Sequence, residues 1–181
     1  MALYTYYILA KRLTWFVMPR KTRRVILNLN IVLFQPEIPQ NTGNIGRTCV
    51  LTDCKLHLIK PLGFSLEEKQ LKRAGLDYWP YLDLEIHDSY EALREKYKES
   101  TFYYSTTKGS KFYTEADFKK GDFIIFGRES SGLPDIVRDS DPKRCIRVPM
   151  IKSSTRSLNL SNTVAIMAYE ALRQIGFPEM K

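Results

Sequence analysis

Two histidines and three cysteines in 181 residues leave little material for metal or disulfide chemistry. Cys49, Cys54 and Cys145 are an odd set without metal-ligand spacing, so no metal is expected, and reduced, buried thiols in a cytoplasmic protein fit best. No apolar run approaches the ~18 residues of a membrane span, so no membrane association is expected. Internal repeats and low-complexity linkers are missing, which predicts one folded domain with a sizeable core. Neither G-x-G-x-x-G nor G-x-x-x-x-G-K-[ST] occurs, and the usual dinucleotide and P-loop readings lose their main support.

Acidic residues are also scarce, but unevenly so. The formal charge is +8, with a pI near 9.4, which points to a polyanionic partner. Residues 1–28 hold Lys11, Arg12, Arg20, Lys21, Arg23 and Arg24 and no acid, leaving 22 basic against 20 acidic residues elsewhere. Nucleic-acid binding by the body therefore needs a local patch. The apolar, aromatic head is interrupted by Lys11-Arg12 and lacks a charged region before it, so it makes a poor signal peptide. Residues 1–28 are expected to be a basic and apolar leader dispensable for activity, and residues 29–181 the domain.

Apolar runs of strand length recur at 29–34, 55–59, 101–105, 123–126 and 145–148. Phe123-Ile124-Ile125-Phe126 is continuously apolar, as in a strand covered on both faces. Helical patterns lie between them. Ser65-Leu66-Glu67-Glu68 is a capping box opening a helix towards Ala74, with Gly75 as its stop. Residues 89–97 read as a second helix. Val164, Met167, Ala168, Ala171, Leu172 and Ile175 form the stripe of a last helix, ended by Gly176 and Pro178. Alternating strands and helices predict an α/β fold, a mostly parallel sheet with helices on both faces.

In such sheets ligands collect beyond the carboxyl ends of the strands, and four loops qualify. Residues 35–47 carry two stiffening prolines and Gly43 and Gly46, with Arg47 expected in the first turn of the following helix. A cation is disfavoured there, which suggests an anion to bind. Gly43-Asn44-Ile45-Gly46 also has the spacing of a KH-type RNA clamp. Ser105-Thr106-Thr107-Lys108-Gly109 is a second loop. The third, Gly127-Arg128-Glu129-Ser130-Ser131-Gly132-Leu133-Pro134, suits a nucleoside-like ligand, with Glu129 as an acceptor. The fourth runs from Ile146-Arg147-Val148-Pro149-Met150 to Ser157-Leu158-Asn159-Leu160-Ser161-Asn162. It holds three candidate helix caps, Ser157, Asn159 and Ser161, where one would serve.

Taken together, Asn41-x-Gly43-x-x-x-Arg47, Phe126-Gly127-x-Glu129-x-x-Gly132-Leu133-Pro134 and Ile146-x-Val148-Pro149-Met150…Ser157-Leu158-Asn159-x-Ser161-Asn162 resemble the three motifs of the SPOUT RNA methyltransferases. The pattern Pro36-Glu37-Ile38-Pro39-x-Asn41-Thr42-Gly43-Asn44-Ile45 and the segment Lys69 to Tyr78 resemble the TrmL/YibK family, which 2′-O-methylates the wobble nucleotide 34 of tRNA. The resemblance runs from Leu29 to Pro178.

It implies a C-terminal trefoil knot, a homodimer and S-adenosyl-L-methionine as cofactor. The implied cofactor residues are Ser105, Thr106, Gly127, Glu129, Gly132, Ile146, Val148, Met150, Ser157, Leu158 and Asn159. The implied reaction moves a methyl group to the ribose 2′-oxygen of cytidine or modified uridine 34, in leucine tRNAs. Arg47 is the implied catalytic residue, orienting a phosphate and stabilising alkoxide charge, because arginine is effectively never deprotonated. Asn41 fixes the loop or the ribose, and Tyr169 on the last helix either approaches the site or packs a dimer. Lys69, Lys72 and Arg73 share a helix face close to Tyr78 and Trp79; with Lys108 and Arg156 they would meet the anticodon stem-loop. The alternatives are a methyltransferase acting at another RNA site and a non-catalytic RNA-binding module using the G-x-x-G loop.

Overall fold

The computed structural model of the chain describes residues 28–66, 77–153 and 155–181. Its elements are β1 (Asn30–Phe34), α1 (Pro39–Thr52), β2 (Lys55–Ile59), β3 (Leu84–His87), α2 (Tyr90–Lys96), β4 (Phe102–Ser105), β5 (Lys111–Phe112), β6 (Phe123–Phe126), α3 (Asp135–Arg138), β7 (Cys145–Arg147) and α4 (Leu160–Gln174). The strands form one seven-stranded sheet in the order β3-β2-β1-β6-β4-β7-β5, and every pairing is parallel. All strand carboxyl ends therefore lie along one edge.

Side chains alternate across the sheet with the period of two that extended backbone imposes. Ile31, Leu33, Ile124, Phe126 and Ile146 face one layer, where Ile45 and Cys49 of α1 meet Val164, Met167, Ala168 and Leu172 of α4. Val32, Phe34, Phe123, Ile125, Phe102 and Tyr104 face the other, against Leu93 of α2 and Val137 of α3. Helices cover both faces, so β6 is buried along its whole length, in line with its unbroken apolar sequence.

Five strands and two helices fall within a residue or a few of their expected positions. Ser89 caps α2, accepting from the Ala92 amide. α4 ends at Gln174, and Gly176 just beyond it turns the chain with φ +82. The edge strands β3 and β5 are additional: one is short and half polar (Leu-Glu-Ile-His), the other two residues long, and neither carries a legible apolar run. The expected helix from Ser65 lies mostly outside the described residues.

α1 corrects the sequence reading. It begins at Pro39, whose fixed φ suits the first helical position and whose missing N–H is not needed there. The loop after β1 therefore spans only residues 35–38. Arg47 stands in the third turn, so the argument from a cation at the positive helix end does not hold. Gly43 and Gly46 are helical and buried, and a KH-type loop is ruled out at this position.

A second polar assembly is folded into the sheet. Asn30 donates from Nδ2 to the Gly121 carbonyl at 2.8 Å, so its Oδ1 faces His57 Nε2 as acceptor, at 3.0 Å. His57 then carries its proton on Nε2 and accepts at Nδ1 from His87 Nε2, at 3.0 Å. Desolvation drives the His57 pKa down to about 3. Burial alone would push the Glu85 carboxyl up, but donation from Lys55, Lys96 and Tyr97 outweighs it and holds the group at about 2. His57, Glu85 and His87 have potential ligand atoms within 4.8 Å of one another. The His57 lone pair is occupied by His87, and two ammonium groups sit 2.6 and 2.7 Å from Glu85, so the group is a closed hydrogen-bonded network.

Candidate functional site at the carboxyl edge of the sheet

The three motifs are separated by up to 118 residues, and one chain of hydrogen bonds joins them. Asn41 in the first turn of α1 donates from Nδ2 to Glu129 Oε1 at 3.0 Å. Asn159, ahead of α4, donates from Nδ2 to Asn41 Oδ1 at 3.0 Å. The Glu129 carboxylate also accepts from the backbone amides of Glu37 at 2.9 Å and Ile38 at 3.3 Å. These amides precede a helix that has no side-chain cap of its own, and the positive end of α1 favours a carboxylate there. Glu129 is thus engaged by the protein, where the sequence suggested an acceptor for ligand.

The loop after β1 returns the contact. Glu37 accepts from the Ser130 amide at 2.9 Å and the Ser130 hydroxyl at 2.8 Å, and these two donors hold its carboxyl below the usual range. Each loop therefore presents a glutamate to the other's backbone. Sequence reasoning missed Glu37 and Ser130. The signal was an acid two residues before a proline-started helix, hidden because the helix start was placed too late. Gln35, which leaves β1 with φ +48, turns the chain into this latch, its amide donating to the Ile59 carbonyl at 3.0 Å.

Gly127 leaves β6 so close to the returning turn that an added Cβ would overlap the Gly132 carbonyl carbon and the Leu133 nitrogen. Arg128 and Gly132 close that turn with paired backbone bonds of 3.1 and 2.9 Å. Beside it, Ser105 ends β4 in register with both Phe126 and Ile146. The Thr106 amide donates to the Ile146 carbonyl at 3.0 Å, and its hydroxyl accepts from the Lys108 amide at 3.2 Å. Ser105, Thr106, Gly127, Ile146 and Val148 thus lie on the carboxyl ends of three adjacent strands, or immediately after them.

Of the three candidate caps, Asn159 is the one that caps α4. Its Oδ1 accepts from the Ser161 and Asn162 amides at 2.9 and 3.3 Å, and from the Ser161 hydroxyl at 2.7 Å. Ser157 and Leu158 are exposed, as are Met150 and Ile151. Leu158 is 38% and Met150 41% accessible, leaving two apolar side chains exposed in the segment between β7 and α4. The group offers hydroxyls, strand-end backbone groups and apolar side chains without a metal-ligating histidine. That donor set fits a purine, a ribose and a thioether or sulfonium, so S-adenosylmethionine is compatible with it.

Arg47 does not join this cluster. It lies six residues beyond Asn41 on α1, roughly 9 Å along the axis and about 120° around it. Its guanidinium sits over the Tyr78 ring, 5.0 Å from the centroid. Tyr169 is exposed on α4, ten residues past Asn159 and roughly 15 Å along the helix. Within this chain it therefore stands apart from the Asn159 end of the helix. Lys108 and Arg156 are exposed, with Lys108 Nζ 3.8 Å from Asp135. Lys69, Lys72 and Arg73 fall outside the described residues.

Comparisons with known proteins place this arrangement. Residues 28–169 match the SpoU rRNA methylase family. The tRNA (cytidine(34)-2′-O)-methyltransferase of Methylovorus glucosotrophus is 50% identical over 149 residues, covering 82% of this chain and 96% of the relative. A solved structure described as giving insight into 2-OH methylation of C/U34 on tRNA is 47% identical, with a TM-score of 0.75, covering 81% of this chain and 95% of that one. An AdoMet-bound rRNA methyltransferase from Sinorhizobium meliloti shares the fold, with 22% identity and a TM-score of 0.70 over 81% of this chain and 56% of its own. The parallel sheet, the three joined motifs and these matches together make the chain a member of the SpoU methylase family.

Proposed function

We propose that the protein transfers a methyl group from S-adenosyl-L-methionine to the ribose 2′-oxygen of nucleotide 34, cytidine or modified uridine, in leucine tRNAs. The observation that carries this reading is the Glu129–Asn41–Asn159 chain, which ties the loops of all three motifs to one edge of the sheet. The named activity of a relative that is half identical supports the substrate.

The cofactor, when bound, supplies the electrophilic methyl. The remaining work is largely positioning, because a weakly acidic hydroxyl must line up with the sulfonium. Ser105, Thr106, Gly127, Gly132, Ile146, Val148, Met150, Ser157 and Leu158 would hold the cofactor. Glu129 and Asn159 fix the loops that carry them, and Asn41, with both ends of its amide engaged by protein, keeps α1 in register. Arg47 would meet the nucleotide's phosphate and the developing alkoxide charge. Because its guanidinium is effectively never deprotonated, charge stabilisation is its favoured role and direct proton abstraction the physically harder one.

The same reading includes a homodimer, for which exposed Leu51 on α1 and Ile166 and Tyr169 on α4 give apolar surface on two helices that pack together. It also includes the C-terminal trefoil knot, supported by the insertion of β7 between β4 and β5 and by the return of α4 onto α1. Contact with the anticodon stem-loop would use Lys69, Lys72, Arg73, Lys108 and Arg156. Residues 1–28 would be a dispensable leader to the domain at 29–181. No helix among the described residues is long and apolar enough to cross a membrane, and a cytoplasmic location completes the reading.

The test is methyl transfer from labelled cofactor to total tRNA, with the product nucleotide mapped. Label on the ribose of nucleotide 34 is expected. Label on a base, or at another position or RNA, would overturn the target.

A further inference from the structure

We propose that Tyr78 is a positioning residue for Arg47, presetting its guanidinium at the surface of α1. The proposal rests on the catalytic reading of Arg47 given above. Arg47 is exposed, and an exposed arginine on a helix ordinarily samples many rotamers. Here the guanidinium carbon lies 5.0 Å from the Tyr78 ring centroid, within the range of a cation–π contact.

The ring is itself held. Its hydroxyl donates to the Gly43 carbonyl, one helical turn before Arg47 on the same face of α1. Tyr78 leads a tight turn at Trp79–Tyr81, where the Tyr81 amide donates to the Tyr78 carbonyl at 2.9 Å and the Leu82 amide to that of Trp79 at 3.1 Å. Gly46 makes room for this turn. A Cβ there would stand 3.2 Å from Trp79 Cζ3 and 3.3 Å from Leu82 Cδ2. Burial raises the phenol pKa against the opposing influence of Arg47, which keeps the hydroxyl a donor at neutral pH. Gly43, Gly46 and Arg47 belong to α1, Tyr78 and Trp79 to the segment before β3, and their contact fixes a charged side chain that has no carboxylate partner among the described residues.

The position suits substrate more than cofactor. Arg47 is off the Asn41–Glu129–Asn159 chain, so a side chain held there by a ring would meet an incoming phosphate in one orientation. Loss of the ring should therefore slow methyl transfer without altering cofactor affinity.

The experiment compares Tyr78→Leu, Tyr78→Phe, Arg47→Lys and Arg47→Lys/Tyr78→Leu in single-turnover methyl transfer to tRNA. Melting temperature and calorimetric binding of S-adenosylhomocysteine are measured alongside. Y78L is expected to lose about tenfold or more in rate, with the half-saturating tRNA concentration and S-adenosylhomocysteine affinity within about twofold; Y78F, which keeps the ring, should stay within about threefold. In the Arg47→Lys background, Y78L should cost much less than it does alone. A rate for Y78L equal to wild type, or an equal loss in both backgrounds, would overturn the proposal. If Arg47→Lys transfers methyl normally, it is the catalytic reading of Arg47 that fails. A readout independent of any Tyr78 variant is the Arg47 side-chain resonance, assigned by its disappearance in Arg47→Lys. An upfield ring-current shift in the wild-type protein supports the contact, and an unshifted resonance contradicts it.

Discussion

Two polar assemblies of similar size are built on the same sheet, and their difference separates a candidate site from a structural network. The first, Asn30–His57–His87–Glu85 with Lys55, Lys96 and Tyr97, runs across neighbouring strands and closes on itself. Its imidazoles are buried, its carboxylate is matched by two ammonium groups, and both ring nitrogens of His57 are engaged. The second, Glu129–Asn41–Asn159, sits on loops at the carboxyl edge and ties together segments distant in sequence. Its side chains are also satisfied, yet the strand ends and loops of the same motifs carry Ser105, Thr106, Met150, Ser157 and Leu158, half-buried or exposed. Polar satisfaction in the interior stabilises the fold. At the edge, the same satisfaction fixes the surroundings of a ligand.

The comparison can be broken most severely at Gly127. Gly127→Val would drive a branched side chain into Gly132 and Leu133 backbone that cannot give way, and it belongs with the rare substitutions costing more than about 4 kcal/mol. Loss of soluble, cooperatively melting protein is the expected result; a variant melting within a few degrees of wild type would show that the turn relaxes.

The closed network should be visible in acid. His57 is held neutral, with its pKa at about 3 against an ordinary 6.5, so the unfolded chain binds the proton more readily. Stability is therefore present above pH 6.5 and is lost as pH falls towards 3, by on the order of a few kcal/mol. Glu85, lowered to about 2 from 4.5, adds a loss of the same sign at the lower end of that window. Urea midpoints measured from pH 7 to pH 4 should fall for the wild type and fall less for His57→Gln, which starts lower at pH 7. Parallel slopes in the two proteins would remove His57 as the cause.

The smallest expected effect calibrates the others. Ser89→Ala, in neither assembly, removes the cap of α2 and should cost about 1 kcal/mol with methyl transfer unchanged.

Much of this was legible in the residues. The β6 run, the α2 cap and the α4 stripe each have one physical reading and fold accordingly. The edge strands were not legible, because two to four mixed residues carry no periodic signal. The start of α1 is ambiguous in the sequence, because Pro39 suits both a stiffened loop and a first helical position. The loop reading conceals the Glu37–Ser130 contact and puts Arg47 at the wrong end of a helix. The joining of the motifs could not come from spacing, since hydrogen bonds between residues 41, 129 and 159 depend on strand order. The three candidate caps resolve into one cap, Asn159, with Ser161 bonded to it inside the helix and Ser157 exposed in the loop before it.

The most direct test of the central distinction sets Glu129→Gln beside Glu85→Gln. Methyl transfer to tRNA is measured per folded molecule, together with the melting midpoint. Glu129→Gln is expected to reduce transfer by roughly tenfold or more through misalignment of the joined loops. Glu85→Gln should lower the midpoint and leave the rate per folded molecule within about twofold. Normal transfer by Glu129→Gln, or an equal loss of rate in Glu85→Gln, would contradict the assignment of function to the carboxyl edge.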